Sequence, residues 1–63
     1  MYKGIITGVD GSKVQVTIPS LNNAVAPAAD VLRNARPVSI GMNVLVICFF
    51  DDLSDSCVIG VVD

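Results

Sequence analysis

Residues 41–63, GMNVLVICFFDDLSDSCVIGVVD, carry the reading on which the fold turns. Every side chain from Val44 to Phe50 is apolar and most are β-branched or aromatic, so the run reads as a strand. It is far shorter than the roughly 20 residues that cross a bilayer, so no membrane span is expected. Alternate side chains on a strand point to opposite faces. Val44, Val46, Cys48 and Phe50 therefore share one side, while Leu45, Ile47 and Phe49 share the other. The first set can fill a core; the second needs a different cover. Asp51-Asp52-Leu53-Ser54-Asp55 reads as a turn, and Ser56 to Val62 as a return strand that adds Ile59 and Val61 to the apolar surface.

The register of this hairpin sets the geometry of the cysteines. A loop of Asp51 to Ser54 places Cys48 directly opposite Cys57, within reach of a disulfide, whereas a loop extended through Asp55 puts them on opposite faces. In a cytosolic chain two buried thiols are the expected state.

The N-terminal half is one-sided by comparison. Tyr2 to Val9 contains β-branched residues with Gly punctuation and runs into Asp10-Gly11, a strong hairpin signal. Lys13-Val14-Gln15-Val16-Thr17-Ile18 alternates without fault, so Val14, Val16 and Ile18 face a core while Lys13, Gln15 and Thr17 face water. Pro19 ends that strand because it has no N–H to give the ladder. From Ser20 to Pro37 the composition shifts to Asn, Ala and Pro. Asn23 to Ala26 reads as a short edge strand. Pro27 to Asn34 reads as a short helical turn, with Pro at its first position and Arg33 near the negative end of its dipole. The fold class expected is all-β: one domain over residues 1–63, a small OB-like five-stranded antiparallel barrel with one short helical turn in 27–34. Closure removes the strand edges that an open sheet of this hydrophobicity would expose.

The chain has 63 residues, 52% of them hydrophobic and 16% charged. A domain this small buries only about 60% of its unfolded surface, so its core needs a supplement: a disulfide, a metal or association. There is no His, and two Cys do not complete a four-ligand zinc site. Net charge is −2, and Lys3, Lys13, Arg33 and Arg36 are scattered, so the basic cluster of a nucleic-acid binder is missing. Association of copies through Leu45, Ile47, Phe49, Ile59 and Val61 is the expected supplement. The N-terminus lacks the apolar run and cleavage site of a secretory signal, so a cytoplasmic location at synthesis is expected.

The order GIITGVDGSKVQVTIPSL, a Pro-containing loop, then GMNVLVICFFDDLSDSCVIGVV resembles the OB-fold domain of phage baseplate spike proteins and of VgrG-type proteins of contractile injection systems. The matching positions are Gly4-Ile5-Ile6, Val14 through Pro19, Gly41 through Val46, and Asp52-Leu53-Ser54-Asp55 followed by Val58-Ile59-Gly60. Met42 departs from the acidic residue common in that family, and the chain ends at Asp63 where spike proteins continue into a lysozyme module or a needle. The resemblance implies a separately encoded barrel of a virion tail, baseplate or domesticated particle, a trimer around the tail axis that contacts other tail or baseplate proteins.

Catalytic chemistry finds little footing in these residues. Ca²⁺ takes six to eight oxygens from an organised loop, and Asp51, Asp52 and Asp55 at a hairpin tip are ordinary turn residues. The serines have no His to activate them, and Cys48 and Cys57 have no His or nearby cation to lower their pKa. No catalytic, cofactor-binding or metal-ligating residue is expected, and the chain is not read as an enzyme. Tyr2, Phe49 and Phe50 resemble a base-stacking platform only without its electrostatic funnel. A nucleic-acid-binding OB module and a closed-ring microcompartment vertex protein are the alternative readings.

Overall fold

The computed structural model describes residues 1–50 and 52–62. Strands β1 (Tyr2–Asp10), β2 (Lys13–Ile18), β3 (Ala24–Val31), β4 (Asn43–Phe49) and β5 (Asp52–Val62) close into a barrel in the order β1-β2-β3-β5-β4. The OB-like five-stranded barrel read from the sequence is thus the fold, with one refinement. Neighbouring strands are antiparallel except β3 and β5, where Asp30 pairs with Cys57 and Val31 with Val58 in parallel. Directions can alternate all the way round a closed ring only for an even number of strands. Closing five therefore leaves one parallel contact.

The first hairpin turns through Gly11 and Ser12, with Asp10 paired to Lys13. Gly11 takes φ +61°, a conformation that costs glycine nothing. Gln15 in the middle of β2 is flanked by irregularities on both sides. Between the pairs Ile6↔Val16 and Gly8↔Gln15, β1 carries the extra residue Thr7. Between Val14↔Ala29 and Val16↔Ala26, β3 places both Pro27 and Ala28 against Gln15. Bulges bend and twist strands, and this double one folds the sheet over so that so few strands can meet.

The second bulge also accounts for the main departure from expectation. Pro27 to Asn34 does not form the expected helical turn: residues through Val31 belong to β3, and helical geometry is confined to a 3-10 turn at Arg33–Ala35. Pro27 is accommodated because a bulge has no ladder position for its missing N–H. Ala26, Ala29 and Val31 point into the core. The chain reaches β3 through a 3-10 turn at Pro19–Leu21 and then Asn22 and Asn23, which hold φ +60° and +61°. Asn is among the few non-glycine residues that tolerate this region.

The interior is filled by small and β-branched side chains. Ile6, Val16, Ile18, Val44, Val46 and Val58 are fully buried, and Val14 nearly so. The alternation on β2 is thereby confirmed, with Lys13 and Gln15 exposed and Thr17 half-buried beside Thr7, their hydroxyl oxygens 3.3 Å apart. Gly4 is buried against the same core, where an added Cβ would lie 2.3 Å from Val16 Cγ1. Phe50 departs from the expected inward face: it is 98% exposed, with φ +54°. The strand ends at Phe49, so strict alternation does not extend to the next residue.

The turn expected over 51–55 is largely strand. Phe49 pairs with Asp52 and Cys48 with Ser56, leaving Leu53, Ser54 and Asp55 bulged out of the ladder. Asp51 lies outside the described residues. Cys57 is paired with Ile47, so it faces away from the side that carries Cys48, and no disulfide joins the two.

Candidate functional site

The outer surface of β4 and β5 is the site that the sequence singles out. Leu45 and Ile47 are half-buried, and Phe49 is 43% exposed. Leu45 pairs with Gly60 across the β4–β5 ladder and with Lys3 across the β1–β4 ladder. Gly60 has nothing within 4 Å of where a Cβ would stand, so the surface beside Leu45 is open. Ile59 is the extra residue between Val58 and Gly60 and is half-buried, while Val61, expected on the outer face, is paired with core Val44 and so lies on the core side, 42% exposed near the strand end.

The apolar exterior is wider than the expected five residues. Ile5 on β1 and Val25 on β3 are each more than a third exposed and pair to either side of Thr17, while toward β4 Ile5 meets Asn43 and Leu45 meets Lys3. Sequence reading missed this extension. The signal was the doublet Ile5-Ile6: adjacent residues on a strand face opposite ways, so a buried Ile6 sends Ile5 outward. Leu32, Ile40 and Phe50 are exposed in the connections. No sequence period governs those positions.

Polar groups on this surface serve the turn. The Ser54 hydroxyl and backbone N–H both donate to Asp52 Oδ1, at 2.6 Å and 3.0 Å. These bonds favour the ionised carboxyl and hold Asp52 below the usual carboxylate range. Burial, reinforced by the Asp30 charge, pushes the Cys57 thiol up and keeps it protonated. Asp30 is itself paired with Lys13 across the β2–β3 ladder in an exposed salt bridge. Among the described residues no three His, Cys, Asp or Glu side chains gather as a metal site, and no helix is long and apolar enough to cross a membrane.

At the β1–β2 hairpin end, an open cavity of about 220 Å³ is lined by Val9, Gly11, Ser12, Val14, Val31, Arg36, Pro37 and Val38. Its floor is core valine, and Arg36 stands exposed at its edge. The surface therefore offers an apolar band, an aromatic hairpin tip and one mainly apolar pocket. Comparison with family models, with curated proteins and with solved structures gives no match for this chain.

Proposed function

We propose that this protein is a non-enzymatic structural module that self-associates, as a trimer, within a phage tail, baseplate or related contractile injection apparatus. The observation that carries the reading is a barrel already full of its own side chains that still leaves Ile5, Val25, Phe49, Phe50 and Val61 more than a third exposed. Phe49, beside half-buried Leu45 and Ile47 on one face of β4, forms an apolar patch of the kind that marks an interaction site. The OB-like topology and the resemblance of Gly4-Ile5-Ile6, Val14–Pro19 and Gly41–Val46 to baseplate spike domains support the choice of apparatus.

The mechanism is burial: Leu45, Ile47 and Phe49 lose water at about 25 cal/mol per Å² as subunits meet. Sedimentation equilibrium with wild type and Phe49→Asp tests it. Wild type should sediment as a trimer and the variant as a folded monomer. A wild-type monomer at high micromolar concentration would remove the proposal, and a Phe49→Asp variant that stays assembled would remove β4 from the interface.

A further inference from the structure

We propose that Phe50 of one copy docks in the pocket beside Arg36 of a second copy, so that chains associate head to tail. The inference rests on the self-association reading above and names its contact. Phe50 stands 98% exposed at the β4–β5 tip, in a left-handed backbone conformation that bulky residues rarely adopt. The tip thus presents an aromatic ring to solvent where Gly or Asn would fit the backbone better. The pocket is walled by Val9, Val31, Pro37 and Val38, and its volume of about 220 Å³ suits one aromatic side chain.

Placement and charge select a second copy as the occupant. Along the β1–β4 ladder Tyr2 pairs with Val46, so Phe50 lies beyond the start of β1, whereas Val9 and Gly11 lie at its other end. A chain does not reach its own pocket. Asp52 and Asp55 follow the knob in sequence, and Arg36 at the pocket makes no ion pair among the described residues. Head-to-tail docking brings Asp52 toward Arg36, whereas tip-to-tip docking would set Asp52 against Asp52. The same acids oppose insertion into an anionic bilayer. Knob and pocket are different surfaces, so the contact is heterologous and builds a ring if it closes or a filament if it does not. One Phe buries roughly 150–250 Å², well short of the roughly 800 Å² per partner of a stable interface. It fixes the register, and the apolar band on β4 supplies further area.

Sedimentation velocity across a wide concentration range tests the contact with wild type, Phe50→Asn and Ser12→Trp. Phe50→Asn removes the ring but keeps a residue suited to positive φ, and Ser12→Trp crowds the pocket from an exposed loop. Each variant alone should associate roughly 30-fold more weakly than wild type, the loss expected of an aromatic hot spot. Mixed, they should form a heterodimer, because the intact pocket of one receives the intact knob of the other. Arg36→Glu should weaken association and regain it against a partner carrying Asp52→Lys. Wild type that associates while Phe50→Asn associates equally well overturns the knob and leaves self-association standing; a mixture that stays monomeric overturns the pocket. Wild type that is monomeric at every concentration overturns both readings. Phe50-dependent flotation of a monomer with phosphatidylcholine vesicles would assign the knob to a bilayer and overturn the proposal.

Discussion

Gly4→Ala probes how full the barrel is. An ideal Cβ at Gly4 would sit 2.3 Å from Val16 Cγ1, 3.2 Å from the Thr17 carbonyl oxygen and 3.6 Å from Ile18 Cγ1. Carbon atoms are comfortable at about 3.5–4.0 Å, so the overlap with Val16 exceeds an ångström. Val16 is fully buried and β-branched, with little freedom at χ1. The Thr17 carbonyl belongs to a strand paired on both sides and has little room to retreat. Overpacking of this kind costs about 1–3 kcal/mol, and a stiff neighbour puts Gly4 at the upper end. Gly4 does not hold a positive φ, so Ala also gains about 0.4–1 kcal/mol by restricting the unfolded chain. The net is a loss of about 2 kcal/mol.

At about 4–8 °C per kcal/mol for a domain of this size, the melting temperature should fall by roughly 8–16 °C. That is a large share of the roughly 3–9 kcal/mol expected for 63 residues. Thermal and urea unfolding followed by circular dichroism at low protein concentration measure it. Val16→Ala deletes the atom that clashes, so in the Gly4→Ala background it should cost about 1–2 kcal/mol less than it does alone. A Gly4→Ala chain as stable as wild type, or a strictly additive double variant, would refute the packing argument.

Phe50→Gly should raise the melting temperature of the monomer by roughly 4–8 °C, since relieving a left-handed non-glycine residue gains about 1–2 kcal/mol and the freer unfolded chain takes back about 0.4–1 kcal/mol; a fall would show that Phe50 packs against its own barrel. Because Asp52 has its carboxyl pKa lowered by folding, its bonds to Ser54 stabilise the fold above the ordinary carboxylate range, and that contribution disappears as pH falls through the folded value. Ser54→Ala should flatten this part of the acid limb in a pH series of urea titrations and leave neutral-pH cooperativity intact. Mild oxidation of native protein should give no Cys48–Cys57 bridge by peptide mapping, since Ile47, not Cys48, stands opposite Cys57.

Legibility varied along the chain for identifiable reasons. β2 was plain because each inward residue is a β-branched or larger hydrophobe and each outward one is polar, the pattern that a one-sided strand imposes. β3 was hidden. Its inward residues Ala26 and Ala29 lie opposite Val16 and Val14, where the crowded interior admits only a methyl group. Ala is also a poor strand former, and Pro27 suggested a helix start until a bulge supplied its place. The informative signal was Asn22-Asn23, two residues suited to positive φ that turn the chain back onto β2. The face of Leu45, Ile47 and Phe49 was legible from β4 alone, but the pocket is not written locally. It gathers Val9, Val31 and Val38 from β1, β3 and the connection into β4.

The apolar exterior follows from the size of the interior. Strand number sets the width of a closed barrel, and with five strands the fully buried large side chains here are Val and Ile, with Ala and a buried Gly4 where the strands crowd most closely. Neither Phe is in that core; Phe49 is 43% and Phe50 98% exposed. In a chain that is 52% hydrophobic, side chains the cavity does not admit must lie on the outside or cap its ends. Exchanging Phe50 for a polar residue would therefore cost the isolated barrel little, because its ring is 98% exposed. Its burial becomes favourable only against another molecule, which is why the capacity of this small core and the case for association are one argument.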